Sequence, residues 1–410
     1  MRTSLSMSAL NLEEWRQAVR SPPMYRIGNT TMRMQFNFVG AIVIVGIAFL
    51  VVLYTFMPYS KDGFHMTNDF LKHDDHQHNS LHVIEEKNFK PSLYYNTTYP
   101  LTPPVRTDHG LRFRIAVVSD LDTASKAEQE PFTWISYLKK GFLTIDLAKK
   151  SVELKWDKEI ITVKSKLSQE GRGMELSELV FFNGRLLTVD DRTGIIFELI
   201  SNIAIPWVIL TDGDGKSAKG FKCEWATVKD GHLYVGGLGK EWTSPQGELL
   251  NYNPQWVKVI SPNGEVQHQD WREKYVSVRK QVGIDFPGYM IHESVVWSPI
   301  YRKWFFLPRR ASTTRYDEKE DEKKGTNLMI EANEDFTTIS VNTVGPLIPS
   351  HGFSSFKFVP ETSDTVIIAL KSEELEGNVS SYITVFTTDG EILQPETEIG
   401  KYKFEGIEFI

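Results

Sequence analysis

The sequence predicts an all-β fold, a five-bladed β-propeller carried behind a single N-terminal transmembrane helix. Three observations carry that prediction. Residues 36–57 form a run of 22 without a charge. After residue 110, short β-branched and aromatic runs alternate with turn pairs such as Asn183-Gly184 and Asp230-Gly231. One pattern, a Ser or Glu opening an apolar strand that turns into a hairpin, recurs five times.

Taken from the N-terminus, residues 36–57 come first. About 20 apolar residues cross a hydrocarbon core of roughly 30 Å. A removable signal peptide has a shorter apolar stretch, nearer the N-terminus, and a small-residue cleavage site. Here five arginines (Arg2, Arg16, Arg20, Arg26, Arg33) against two acids (Glu13, Glu14) precede the run, which keeps the N-terminus cytoplasmic. The expected organisation is a cytoplasmic tail 1–35, a transmembrane signal anchor 36–57, a lumenal stem 58–104 and a propeller domain 105–410. A buried core helix is the alternative for 36–57. Sequons at Asn96 and Asn378 would lie on the lumenal side and accept glycan, whereas Asn29 would face the cytoplasm and stay bare. The stem holds His73, Asp74, Asp75, His76 and His78, read as solvated polar chain, with transition-metal binding as the alternative.

Composition sets the remaining bounds. With 410 residues, 41% hydrophobic and 12% aromatic, the chain can bury a sizeable core, which excludes wholesale disorder. A formal net charge of −7, spread along the chain, argues against nucleic acid as a partner. The single cysteine, Cys223, excludes a disulfide framework and a Cys-based zinc site, and is read as a buried inert thiol.

The β pattern opens with the strand 112–118 (RFRIAVV). The repeated unit then appears as 175–182 (ELSELVFF), 224–228 (EWATV), 293–297 (ESVVW), 354–358 (SSFKF) and 404–410 (FEGIEFI). Its oxygen-bearing positions are Ser177, Glu224, Glu293, Ser354 and Glu405, with gaps of 47, 69, 61 and 51 residues. Four-stranded blades of about 40 to 50 residues, lengthened by loops, fit that period. The last copy lacks its second half, which a propeller needs if the N-terminal strand near Ile115 closes the ring. A pair of β-sandwiches is the alternative. If each copy starts its innermost strand at the same height, the five oxygens converge on the axis as a hard-oxygen cage suited to Ca²⁺. The bland reading is that they are ordinary solvent-facing residues at strand starts.

Charged, glycine-bearing loops adjoin these strands. Asp120 and Asp122 follow the first strand, Arg172 sits between Gly171 and Gly173, and Lys240 and Trp242 follow Gly236, Gly237 and Gly239. Arg309 and Arg310 follow the fourth strand group. Carboxylates, a hard metal and guanidinium donors together point to phosphoryl transfer to water. Other segments carry no such chemistry. The stretch from Asp212 opens like an EF-hand, but Cys223 stands where the closing glutamate belongs. No P-loop motif occurs. The charge run 317–324 (DEKEDEKK) is read as a solvated loop.

At these motifs the chain resembles the calcium-activated nucleotidase (apyrase) family, over about residues 94–410. The blocks that carry the likeness are 114–123 (RIAVVSDLDT), 134–141 (WISYLKKG), 171–178 (GRGMELSE), 189–194 (VDDRTG) and 207–215 (WVILTDGDG). It continues through 236–243 (GGLGKEWT), 305–311 (FFLPRRA), 351–357 (HGFSSFK) and 405–410 (EGIEFI). The signal anchor is similar to that of the family's membrane-bound vertebrate form. The resemblance implies a five-bladed propeller with a central Ca²⁺ that hydrolyses UDP and GDP, and less ADP and triphosphates, to monophosphate and phosphate. Its metal ligands would be Ser177, Glu178, Glu224, Glu293, Ser354 and Glu405. Glu178 replaces an Asp of the vertebrate form, and Cys223 an Ala. Asp120 or Asp122 would align the water, Arg172, Arg309, Arg310 and Lys240 would hold phosphates, and Trp242 would stack on the base. The setting implied is a type II protein of the ER or Golgi membrane, supporting glycoprotein and proteoglycan synthesis, with a homodimer and a released soluble form as further expectations. Two competing readings are a non-catalytic calcium-stabilised propeller that binds a protein or glycan, and a broader phosphatase acting on phosphomonoesters.

Overall fold

The computed structural model describes residues 95–410 and, separately, a hairpin pairing Met24–Ile27 with Thr30–Arg33. The expected anchor at 36–57, the histidine cluster and Asn29 lie outside the described residues. Among the described residues no helix is long and apolar enough to cross a membrane.

Five antiparallel sheets, four of four strands and one of four with the short strand Val105–Thr107 added, form the blades of residues 105–410, and two two-stranded ribbons lie in the loops. Blade 1 runs outward through Leu176–Phe182, Arg185–Asp190, Ile195–Ile200 and Ile203–Ile209. Blade 2 is Trp225–Lys229, His232–Gly236, Trp256–Ile260 and Val266–Asp270, and blade 3 is Val295–Ser298, Lys303–Phe306, Leu328–Asn333 and Ile339–Thr343. Blade 4 is His351–Phe358, Val366–Leu375, Asn378–Thr387 and Ile392–Gly400. The Asn183-Gly184 and Asp230-Gly231 turns connect the first two strands of blades 1 and 2, all four residues at positive φ. That is the turn whose twist matches a two-residue hairpin, and it explains the Asn-Gly and Asp-Gly pairs.

Blade 5 closes the ring as the truncated last copy requires. Its innermost strand is the C-terminal Lys403–Phe409, and the next three are Gly110–Asp120, Trp134–Asp146 and Ser151–Ser165. Phe409 pairs with Ile115 and Ile407 with Val117, so the two ends of the propeller are hydrogen-bonded to each other. The ring excludes the paired-sandwich alternative.

Each interface between neighbouring blades carries its own core, because every blade is apolar on both faces. Trp225, Trp297 and Trp304 fill the gap between blades 2 and 3, and Phe353, Phe356 and Ile367 pack against Phe305 between blades 3 and 4. Cys223 is wholly buried between blades 1 and 2, where burial pushes its thiol well above the usual range. Residues 95–104, read as the end of the stem, instead run along the propeller. The Asn96 amide donates to Asn183 Oδ1 at 2.7 Å, and the Tyr99 hydroxyl donates to Glu408 at 2.7 Å. Asn96, in irregular chain, and Asn378, the first residue of the strand Asn378–Thr387, are both exposed.

Candidate functional site

The inner strands run side by side around the axis, and their starts are not regular. Pairing with the second strand slips between Leu176 and Glu178, between Phe353 and Ser355, and between Phe404 and Gly406. The extra residues of these three β-bulges are Ser177, Ser354 and Glu405. A bulge leaves one residue out of the ladder and re-aims it. In blades 2 and 3 the corresponding Glu224 and Glu293 stand just before the strand begins. The five positions singled out by the repeat therefore stand at or beside the start of each inner strand, three of them out of the ladder, while the Glu224 amide still donates to the Gly236 carbonyl at 2.8 Å. A Cβ on Gly406 would fall 2.6 to 2.8 Å from backbone atoms of Leu179 and Glu178, so only glycine lets strands of blades 1 and 5 approach here.

A funnel of about 710 Å³ opens over this end of the axis. Glu224, Glu293 and Glu405 line it, as do Asp120, Asp122, Lys240, Trp242, Arg309 and Arg310. Ten carboxylates and five cations face it in all. Three of those cations tie the acids together. Lys403 Nζ lies 2.6 Å from Asp120, 2.8 Å from Asp122 and 3.8 Å from Glu405. Arg309 pairs with Glu293, Glu374 and, at 2.7 Å, Glu405. Lys222 pairs with Asp191 and, at 2.7 Å, with Glu224. Arg172 holds Glu175 through Nε at 2.8 Å and reaches Asp122 at 3.3 Å. Acidic oxygens of Asp120, Asp122 and Glu175 come within 4.8 Å of one another.

Titration behaviour follows from burial against these partners. Burial pushes the Asp120 carboxyl up to about 6, although Lys403 opposes it. Burial also raises Asp122, but Lys403, Lys222 and Arg172 outweigh it and hold that carboxyl below the usual range. Glu224 rises to about 8 through burial, with Glu293 and Asp191 adding and Lys222 opposing. Burial works against the charge on Lys403, yet Asp120, Glu405 and Glu374 keep it well above the ordinary lysine value. Lys240, which lies 4.3 Å over the Tyr316 ring, is lowered to about 8 by burial.

Two placements bear on the sequence reading. Glu178 does not line the funnel, and neither do Ser177, Ser354 and Arg172. The buried Glu178 carboxylate accepts from Ser355 Oγ at 2.8 Å and pairs with Lys357 at 3.0 Å, linking blades 1 and 4 beside the ring positions. Arg309 is fully engaged by three carboxylates and holds two of the ring acids in place. The charge run 317–324 is solvent-facing as expected, with no buried residue in its short helix Glu318–Asp321, and Glu318, Asp321 and Glu322 also stand in the funnel wall, the Tyr289 hydroxyl donating to Asp321. Sequence reading also missed Lys222 and Lys403. Both stand two residues before a ring glutamate, as Glu175 stands two before Ser177. That spacing was the available signal.

A metal fits these residues. The Ser177 hydroxyl and Asp191 Oδ1 are buried without hydrogen-bond partners among the described residues. Such orphaned oxygens, beside carboxylates on unpaired bulge backbone, suit a hard cation with many oxygen ligands.

Comparison with known proteins agrees with this geometry. A model of the Apyrase family matches residues 121–410. The chain is 58% identical over 316 residues to "Soluble calcium-activated nucleotidase 1" of Rattus norvegicus, covering 77% of this chain and 78% of that protein. It is 46% identical over 317 residues to "Apyrase" of Cimex lectularius, covering 77% and 87% respectively. It is 46% identical over 306 residues to "Apyrase apy-1" of Caenorhabditis elegans, covering 74% and 85%.

Proposed function

The chain belongs to the apyrase family, and from that premise we propose a calcium-dependent nucleoside diphosphate phosphatase that cleaves UDP and GDP, and less readily ADP and triphosphates, to monophosphate and phosphate. The observation that carries this is the charge of the funnel: ten carboxylates against five cations, with three ring glutamates among them. A polyanionic substrate enters such a cavity only together with a multivalent cation.

Ser177, Glu224, Glu293, Ser354 and Glu405 would hold calcium, the two serines through hydroxyl or freed backbone oxygens. When bound, calcium supplies charge neutralisation to phosphate oxygens. The chain's own residues do the rest. Asp122 is the half-buried, ionised member of the acidic pair and takes the attacking water, orienting it and accepting its proton. Asp120, buried beneath it, accepts the Asp122 amide at 2.7 Å and fixes the loop. Lys240 and Arg310 face the funnel and contact the phosphates, with Arg172 steadying Asp122. Arg309 stabilises charge through the carboxylates it aligns. Trp242, half-buried at the funnel edge, offers its ring to the base. Glu178 acts from behind the ring, through Ser355.

On the same reading the propeller works in the ER or Golgi lumen behind the anchor at 36–57, removing diphosphates that inhibit sugar transfer, with Asn96 and Asn378 glycosylated. Replacing Asp122 with Asn tests the enzyme against the non-catalytic propeller. The expected result is loss of phosphate release, by about 10²-fold or more as for a general base, with calcium still raising the melting temperature. Full turnover in that variant would refute the assignment.

A further inference from the structure

The funnel wall that carries Lys240 and Trp242 is an insertion of blade 2, between His232–Gly236 and Trp256–Ile260. Such a loop has no sheet of its own to hold it except the two-residue pairing of Trp242–Thr243 with Leu249–Asn251. Its rigidity comes from behind. Gly239 packs so tightly that a Cβ there would lie 2.7 Å from Tyr275 and His292. Glu241, between the two funnel residues, does not line the funnel, and is only 5% exposed. Both its oxygens are taken by Arg279 of the helix Arg272–Lys280, Nη1 to Oε2 at 2.8 Å and Nη2 to Oε1 at 2.9 Å. Arg279 is itself 4% exposed, and the helix is anchored in the core between blades 2 and 3 by Tyr275 and Val278. The Glu241 carbonyl also accepts from Lys240 Nζ at 3.0 Å, and Thr243 Oγ1 from the same nitrogen at 3.1 Å.

A two-point fork between planar groups fixes orientation as well as distance, which a lysine or a single hydrogen bond does not. We infer that the Glu241–Arg279 pair is a positioning lock for the substrate-binding loop: it transmits the rigidity of the blade 2–3 core to Lys240 and Trp242, and so sets affinity for the nucleotide rather than the rate of the chemical step. This rests on the proposed nucleotidase activity and adds residues that touch neither metal nor substrate.

The test measures phosphate release from UDP at saturating calcium by the full chain in detergent. It compares wild type, Glu241→Gln, Arg279→Lys, Lys240→Met and the double variant Glu241→Gln/Lys240→Met. The lock predicts a KM raised about tenfold in the first two variants, the factor that a loss of about 1.4 kcal/mol in binding gives, with kcat within about twofold and the calcium midpoint unmoved. The double variant should be worse than Lys240→Met alone by clearly less than tenfold, because Glu241 acts in part through Lys240 and in part through Trp242. A wild-type KM in folded Glu241→Gln, or effects that multiply in the double variant, would overturn the lock. Breaking one side of a buried pair also destabilises, so Glu241→Gln/Arg279→Met, which removes both charges, serves as the folded control. It should melt near wild type and keep the raised KM, and a restored KM would overturn the inference. If wild type releases no phosphate from any nucleotide, the functional reading itself fails. If wild type turns over and the variants match it, only the lock fails.

Discussion

Glu224→Gln should act in opposite directions on metal-free stability and on calcium-dependent activity. The folded Glu224 carboxyl titrates at about 8, against 4.5 for the ordinary group, because it is buried beside Glu293 and Asp191. A carboxyl raised in this way contributes stability that is fully present below about pH 4.5 and is lost as pH rises through about 8. At roughly 1.4 kcal/mol per unit, its ionisation costs up to about 5 kcal/mol at pH 8.5. Glutamine keeps the shape without the charge. The opposing pull of Lys222, 2.7 Å from Glu224, is already contained in that value, so the net gain is about 5 kcal/mol. Residues 95–410 have an unfolding entropy of about 0.7 kcal/mol/K, so the melting temperature in EGTA at pH 8.5 should rise by about 7 °C. At pH 5 the two proteins should melt together. Calcium at about 100 times its dissociation constant should add about 2.7 kcal/mol to wild type and much less to the variant, whose phosphate release should collapse. Scanning calorimetry in EGTA and in calcium, at both pH values, measures every arm. A variant less stable than wild type in EGTA at pH 8.5, or one still stabilised and activated by calcium, would refute the reasoning.

Other predictions are simpler. Gly406→Ala places a methyl within 2.6 to 2.8 Å of the blade 1 backbone, so calcium activation should need more calcium and the melting temperature should fall; an unchanged calcium midpoint would remove the bulge from the account. Cys223→Ala should retain full activity, and the native thiol should resist maleimide until the protein unfolds, which a labelling time course in denaturant reads directly. Tyr99→Phe loses only the hydroxyl bond to Glu408, so the melting temperature should drop by about 2 °C for about 1.5 kcal/mol, with UDP turnover unchanged.

The sequence made the propeller legible because its cues are local. Asn183-Gly184 and Asp230-Gly231 mark tight hairpins wherever they occur, and the recurring apolar strand after Ser or Glu sets the blade period. The missing half of the fifth copy even announced how the ring closes. The bulges at Ser177, Ser354 and Glu405 were not legible, since a bulge is defined by its partner strand and leaves no mark of its own in composition. The paired roles of Lys222 and Lys403 were available in their two-residue spacing from ring glutamates and were overlooked. Arg279 could not be matched to Glu241 from 38 residues away, because only tertiary packing brings the helix behind the loop. The run 317–324 faces solvent as its dense charge suggests, but that Glu318, Asp321 and Glu322 also reach the funnel wall depends on how the loop folds back.

The most direct measurement is phosphate release from UDP, GDP, ADP and ATP, with a phosphomonoester as control, by the purified full chain in calcium, in magnesium and in EGTA. The account predicts release from the diphosphates, fastest with UDP and GDP, that requires calcium and leaves the phosphomonoester intact. No release in calcium, while calcium still raises the melting temperature, would contradict it and make the propeller a calcium-stabilised binding module.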